Sequence, residues 1–292
     1  MPPALFALSA LLLASGPAKA DMTPVEWEKV FEVRGGRDTW ISSVRALSRD
    51  EWFVGGSWGV ARATKGGGIE KRDLPGRKVI GMLVAGPGSV FAFGNDELVL
   101  HFDAKGWTEE HYVPRQAKGA SRGKDLVYVG FIPSGAPDAP IVAVGPTLVL
   151  VRKPDNTWEV PPEAERVHLE SLGQHGPDFQ RPPKCDPGGW RWLGKEWGAF
   201  FCQDGRSFIY EKGVISPRGQ VPKPCRSALG GVAASQGELY ATCGAGRLWK
   251  TEAQAWTLLS TFAKTTELTD VSVADGCIFV AARQSVWRRC RL

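Results

Sequence analysis

Six cysteines, four histidines and a short Trp-Arg-Trp run are the residues of this chain most able to do chemistry. All six cysteines lie between 185 and 290. An even number gathered in one half of a chain points to disulfides. Cys185 and Cys202 are 17 residues apart and Cys225 and Cys243 are 18 apart, two similar designs in succession. That leaves Cys277 and Cys290, at opposite ends of a strand–turn–strand stretch, where they face each other across the two strands. The expected bridges are therefore 185–202, 225–243 and 277–290, one of the 15 pairings six cysteines allow. No pair has zinc-ribbon spacing, and His101, His111, His168 and His175 are not grouped with the cysteines, so no metal and no cofactor is expected.

The sequence offers no catalytic residue set. There is no Gly-x-Ser-x-Gly and no His pair at helical i, i+4 spacing. Glu170, Asp186 and Glu196 are the acids from which a carboxylate pair would be built, as in a glycoside-cleaving site. Trp190-Arg191-Trp192, with Trp197 close by, reads as a strand with both indoles on one face and the guanidinium on the other. An aromatic pair beside an Arg can stack a sugar or a peptide, or simply pack a core. A polar stretch from 163 to 184 brings His168, Glu170, His175 and Asp178 together among Gly and Pro, the composition of a binding loop or a solvated connector. A second stretch, 114 to 124, carries Arg115, Lys118, Arg122 and Lys124, and the C-terminal end adds Arg288, Arg289 and Arg291. The formal charge of +5 is too small to imply a nucleic-acid partner.

Something must hold these residues in place, and the chain repeats. Ser89-Val90-Phe91-Ala92-Phe93 is followed by Glu97-Leu98-Val99-Leu100-His101-Phe102, and Ile141-Val142-Ala143-Val144 by Leu148-Val149-Leu150-Val151. Both read as hairpins. A small residue closes the first strand of each hairpin: Gly56, Gly94, Gly145, Cys202, Cys243 and Ala282. The steps between them are 38, 51, 57, 41 and 39 residues, and three of the five match a four-stranded propeller blade. The two long steps hold the stretches 114–124 and 163–184 as insertions. Thirteen residues after the first five marks stand Ile69, Trp107, Trp158, Ile215 and Trp256, each expected to open an outer strand.

The sixth mark has no such residue, because the sequence stops at Leu292. Residues 26–33, Glu26-Trp27-Glu28-Lys29-Val30-Phe31-Glu32-Val33, have the same Trp-first pattern with no hairpin before them. The expected fold is an all-β, six-bladed β-propeller of four-stranded antiparallel blades, its ring closed by segment 26–33 completing the C-terminal blade. Residues 1–20 read as a signal peptide: an apolar run, Leu5 to Ala14, then Ala18-Lys19-Ala20 before Asp21. Residues 21–292 are then a single domain with no further membrane-crossing segment, exported to a periplasm or beyond the cell.

The hairpins, small residues, turns and tryptophans, as in Gly94-Asn95-Asp96 and Asp103-Ala104-Lys105-Gly106-Trp107, resemble the exported bacterial propeller superfamily that includes sialidase-type and YVTN-type repeats. The sialidase turn is Ser-x-Asp-x-Gly-x-Thr-Trp. The nearest stretch here, Asp155-Asn156-Thr157-Trp158, lacks its Ser and its middle spacing, so the resemblance is one of fold. Propellers serve many functions. The expectation is a monomeric scaffold that binds a protein or glycan, with a polysaccharide hydrolase or lyase and a structural assembly factor as alternatives.

Overall fold

The computed structural model describes residues 26–64, 66–96, 98–110, 128–131, 141–144, 149–159, 190–194, 197–202, 204–211, 214–225, 229–243, 246–263 and 266–290. The protein is all-β apart from a short 3-10 turn at Lys223–Cys225. Its first strand, β1 (Glu28–Glu32), pairs with its last. The next four, β2 (Ile41–Ala46), β3 (Trp52–Gly56), β4 (Gly59–Ala63) and β5 (Ile69–Asp73), form one antiparallel sheet. Then come β6 (Val79–Gly86), β7 (Ser89–Gly94), β8 (Val99–Asp103) and β9 (Gly106–Glu109), followed by β10 (Tyr128–Phe131), β11 (Ile141–Val144), β12 (Val149–Arg152) and β13 (Trp158–Glu159). The fourth sheet is β14 (Trp190–Gly194), β15 (Trp197–Phe201), β16 (Arg206–Glu211) and β17 (Val214–Gln220). The fifth is β18 (Leu229–Ser235), β19 (Glu238–Cys243), β20 (Arg247–Glu252) and β21 (Ala255–Thr261). The chain ends with β22 (Leu268–Ala274), β23 (Cys277–Ala282) and β24 (Ser285–Cys290). Among the described residues there are six sheets of four strands, the last in the order β1-β24-β23-β22.

The repeat marks fall where strands end. Gly56, Gly94, Cys243 and Ala282 close β3, β7, β19 and β23, and Cys202 directly follows β15. Gly145 lies outside the described residues. Ile69 and Trp158 open β5 and β13, while Trp107, Ile215 and Trp256 stand second in β9, β17 and β21. The second strand of a sheet is covered on both faces, which is why it reads as an unbroken apolar run: β3, Trp52-Phe53-Val54-Gly55-Gly56, is buried throughout. The fourth strand is wet, and in β5 every residue except Arg72 is exposed. Turn chemistry fits as well. Asp275 and Gly276 take φ of 46° and 70° between β22 and β23, the left-handed pair a two-residue hairpin needs.

Neighbouring sheets are joined by aromatic rings that point one way around the chain. Trp107 of β9 packs edge-on against Phe53 of β3 at 5.7 Å. Trp158 of β13 packs against Phe93 of β7 at 5.8 Å, and Trp256 of β21 against Phe201 of β15 at 6.3 Å. Trp27, at the entrance to β1, packs against Phe262 just after β21 at 5.1 Å. In each case a ring on the outer strand of one sheet covers the sheet before it in the chain, β1 counting with β22–β24. Two positions of the series carry isoleucine: Ile215 of β17, which is half-buried, and Ile69 of β5, which is 39% exposed. The sheet that it would cover instead buries Phe31 of β1 against Trp52 and Trp58, at 6.0 and 5.8 Å.

Polar bolts supplement the rings. Glu110, just past β9, accepts from Arg152 of β12 through Nε (2.9 Å) and a second guanidinium nitrogen (2.7 Å), and from the Trp158 indole at 2.7 Å. His101 Nδ1 lies 3.1 Å from the same carboxylate, and Ser89 Oγ lies 3.0 Å from His101 Nε2. The imidazole thus bridges Ser89 and Glu110. Burial alone would raise the Glu110 pKa, but the hydrogen bonds from His101, Arg152 and Trp158 and the Arg152 charge override it and hold the pKa at about 2. Asp270 of β22 does the same job between β22 and β2. Its Oδ2 accepts from Ser43 Oγ (2.8 Å), the Val44 amide (2.9 Å) and Arg45, and its Oδ1 from the Val271 amide (2.9 Å).

Disulfides join Cys225 to Cys243 and Cys277 to Cys290, and the second pair sits directly opposite in the β23–β24 register. Cys202 is also disulfide-bonded. Its expected partner Cys185 lies outside the described residues, as do the signal segment 1–20 and the insertions 114–124 and 163–184.

Two measurements check this account. Phe31→Ala empties a buried aromatic site and is expected to cost about 3–5 kcal/mol, whereas Ile69→Ala costs less than about 1 kcal/mol, read from urea unfolding of each variant. Equal losses would contradict the packing described. Glu110 has a folded-state pKa below its unfolded value, so its contribution is present above the unfolded pKa and lost as pH falls through the folded one. With the shift running from 4.5 to about 2, Glu110→Gln is expected to cost on the order of 3 kcal/mol at pH 7. The gap between variant and parent should then narrow as the pH is lowered from 4.5 toward 2. A gap that stays constant over that range would show that the carboxylate charge is not what joins β9 to β12.

Candidate ligand site at the junction of the first and last sheets

Where β1 ends, the chain leaves the last sheet and crosses to the first. The Val33 amide donates to the Gln284 carbonyl at 2.9 Å, fixing the departure. Trp58, in the turn between β3 and β4, is tied to the end of β5 through the Leu74 amide, which donates to its carbonyl at 3.0 Å. Between these elements lies an open cleft of about 420 Å³, lined by Glu32, Val33, Arg34, Trp58, Lys71 and Asp73. That volume is within the ~300–1,000 Å³ range of small-ligand sites.

The cleft exists because of what β5 presents. Ile69, Lys71 and Asp73 alternate onto one face of the strand, the face that carries tryptophan in β9, β13 and β21. A small apolar residue and two charged ones do not fill that space. Lys71 extends its ammonium over the Phe31 ring at 5.2 Å.

The charges in the cleft are largely unmet. Glu32 pairs with Lys29 at 3.0 Å. The side chains of Arg34, Lys71 and Asp73 make no ion pair or hydrogen bond among the described residues, and the buried Trp58 indole N–H also has no partner. Trp107 and Trp249 share that last condition, so the indole counts here for its place in the cleft wall. The site therefore offers a guanidinium and an ammonium as donors, with Asp73 as the unmet acceptor.

Other chemically able groups among the described residues are engaged. Ser89, His101 and Glu110 stand in the order of a nucleophile–base–acid relay. Their carboxylate, however, is held by Arg152 and Trp158 as well, and the imidazole lies flat on Phe91, with centroids 4.2 Å apart and planes 1° apart. Arg45 donates to the Met82 carbonyl and to Asp270, joining β2, β6 and β22. No group of three metal-ligating side chains occurs among the described residues, and none of their helices is long and apolar enough to cross a membrane.

Of the residues singled out in the sequence, Trp190, Arg191 and Trp192 fall in β14, the first strand of its sheet, opposite Phe200, Ala199 and Gly198 of β15. A bulge between Trp192 and Gly194 interrupts that pairing. His168, Glu170 and His175 lie outside the described residues, as do Asp186 and Glu196. Sequence reasoning missed the cleft. Its one visible trace is Ile69, which with Ile215 lacks the large ring that Trp107, Trp158 and Trp256 have.

No family model matches the chain, and no curated protein matches it. Solved structures do. YCF48 bound to D1 peptide superposes with a TM-score of 0.52 at 12% identity, over 94% of this chain and 97% of that one. A catalytically inactive virginiamycin B lyase from Staphylococcus aureus with quinupristin gives 0.54 at 13%, over 91% and 99%. The WD40 β-propeller domain of Doa1 gives 0.54 at 10%, over 90% and 97%. At these identities the likeness is one of fold, and that fold is the β-propeller.

Proposed function

We propose that this chain is an exported, six-bladed β-propeller that holds a protein partner on one face of its ring. The observation that carries the reading is the cleft, with two unmet cations and one unmet acid beside an indole.

Ring closure is supported by the first strands of the sheets, which touch in cyclic order: β2 with β6, β6 with β10, β10 with β14, β14 with β18, β18 with β22, and β22 with β2. It is supported also by the pairing of β1 with β24, which places Glu28 opposite Arg288 and Glu32 opposite Ser285. Export accords with the apolar leader expected over residues 1–20 and with the disulfides, which persist in oxidising compartments.

Strand alternation supports a single binding face. In an antiparallel four-stranded sheet the first strand starts, the second turns into the third, and the fourth ends, all on the same side. The cleft belongs to that side, since it is made by the end of β1, the β3–β4 turn and the end of β5. β9 and β13 end on that side and β10 and β14 begin there, and the stretches 111–127 and 160–189 between them in sequence lie outside the described residues. They include both insertions, 114–124 and 163–184, with His168, Glu170 and His175, and the second leads directly into Trp190-Arg191-Trp192. YCF48, a neighbour in fold, was solved with a peptide bound, which accords with a protein partner. The alternative of a hydrolase or lyase needs an acid free for chemistry on the inner strands. Asp270, with four donors, favours a structural role there.

The test is made in cells. The full chain, tagged at its C-terminus, is expected to begin at Asp21 after export and to cross-link to a partner. A variant lacking residues 163–184 is expected to lose that partner while melting like the parent, because loop length has little bearing on stability. Partner capture by the deletion variant, or an uncut leader on a protein retained inside the cell, would overturn the reading.

A further inference from the structure

We infer that the cleft between β1 and β5 is a receptor for the C-terminal carboxylate of an extended peptide. This rests on the protein-binding reading above and names the part of the partner that the cleft takes.

The Arg34 and Lys71 side chains are donors without acceptors, while the Asp73 side chain is the one unmet acceptor in the cleft, since Glu32 already has Lys29. The ligand that restores this balance is an anion with several lone pairs and a single hydrogen-bond donor next to it. A terminal carboxylate with the amide N–H of its own residue has that pattern. A guanidinium and an ammonium together can hold both carboxylate oxygens through charge-assisted hydrogen bonds. A dianionic phosphate fits less well, because it would stand beside Asp73 and Glu32 with no donor to offer either.

The rest of the peptide has a place to go. Among the described residues, β5 is the edge of its sheet, hydrogen-bonded to β4 on one side alone. An extended peptide can add to such an edge by main-chain hydrogen bonds while alternate side chains find pockets. Ile69 lies two residues from Lys71 on the same face and is 39% exposed, so an apolar side chain a few residues upstream of the carboxylate would cover it. Val33 offers a second apolar contact inside the cleft. In β9, β13 and β21 tryptophan occupies this face, and there the same peptide would find it filled.

The experiment uses the mature chain, 21–292, immobilised and offered decapeptides whose last four residues are randomised, made once as free acids and once as C-terminal amides. Free acids should be enriched, and each selected peptide should bind at least about tenfold more tightly than its own amide. Arg34→Ala combined with Lys71→Ala should cut that affinity by at least about tenfold with no change in melting temperature. Ile69→Trp, which fills the face as in the other sheets, should abolish capture while the variant melts at or above the parent temperature. Equal capture of acids and amides, capture that survives Ile69→Trp, or no enrichment at all would overturn the proposal. So would a glucuronate-bearing oligosaccharide that binds where no peptide does. These failures are separable from failure of the protein-partner reading, because loss of the partner on removal of 163–184 can stand without them.

Discussion

Sheets that pack face to face around a common centre diverge toward their outer strands, and close packing requires something large to fill the widening gap. At four junctions of this protein the filler is a ring, set on or just before the outer strand and pressed against the sheet before it. Trp27, Trp107, Trp158 and Trp256 do this by contact with Phe262, Phe53, Phe93 and Phe201. Everything else about the inter-sheet junctions follows from how well that gap is filled. Where the tryptophan is supported by a buried carboxylate, as Trp158 is by Glu110, the junction is bolted as well as packed.

The junction between the last sheet and the first departs from this rule. The chain's two ends meet in one sheet through β1 and β24, so its outer strand arrives from the N-terminus and not from a preceding hairpin. Phe31 is turned inward against Trp52 and Trp58, filling the deep part of the gap from the opposite side. Deeper still, Asp270 links β22 to β2 through Ser43, Val44 and Arg45. The interior of this junction is therefore secured twice over. Ile69, Lys71 and Asp73 at the outside are released from the packing duty that tryptophan performs elsewhere, and an open, charged cleft can be tolerated there.

How much of this could be read from the sequence depends on the range of the interaction. The strand ends were visible because Gly56, Gly94, Cys243 and Ala282 recur at blade spacing, and Trp107, Trp158 and Trp256 stand at one offset from such marks. Two disulfides were visible because Cys225–Cys243 and Cys277–Cys290 are local. The Glu110 cluster was not visible: it joins Ser89, His101, Arg152 and Trp158 across two sheets, and nothing in the local sequence marks Glu110 as the hub. The cleft was hidden for a different reason. Glu32, Arg34, Lys71 and Asp73 look like ordinary wet positions on edge strands, and only the fold brings them face to face.

Ile69 and Ile215 both depart from the tryptophan series, and Ile69 is the exposed one. A repeat sets an expectation at each equivalent position, and a departure from it is either a lapse that another residue corrects or a vacancy that something else uses. At the junction core the correction is present, in Phe31. At the rim it is absent: Ile69 stays exposed, and the cations beside it stay unpaired. A surface under pressure only to be soluble would pair Lys71 with Asp73 or Glu32 at little cost, since exposed ion pairs form and break with small changes in free energy. Charges of both signs that share one cleft, with two cations and an acid still unmet, are the arrangement expected when their counterparts arrive on another molecule.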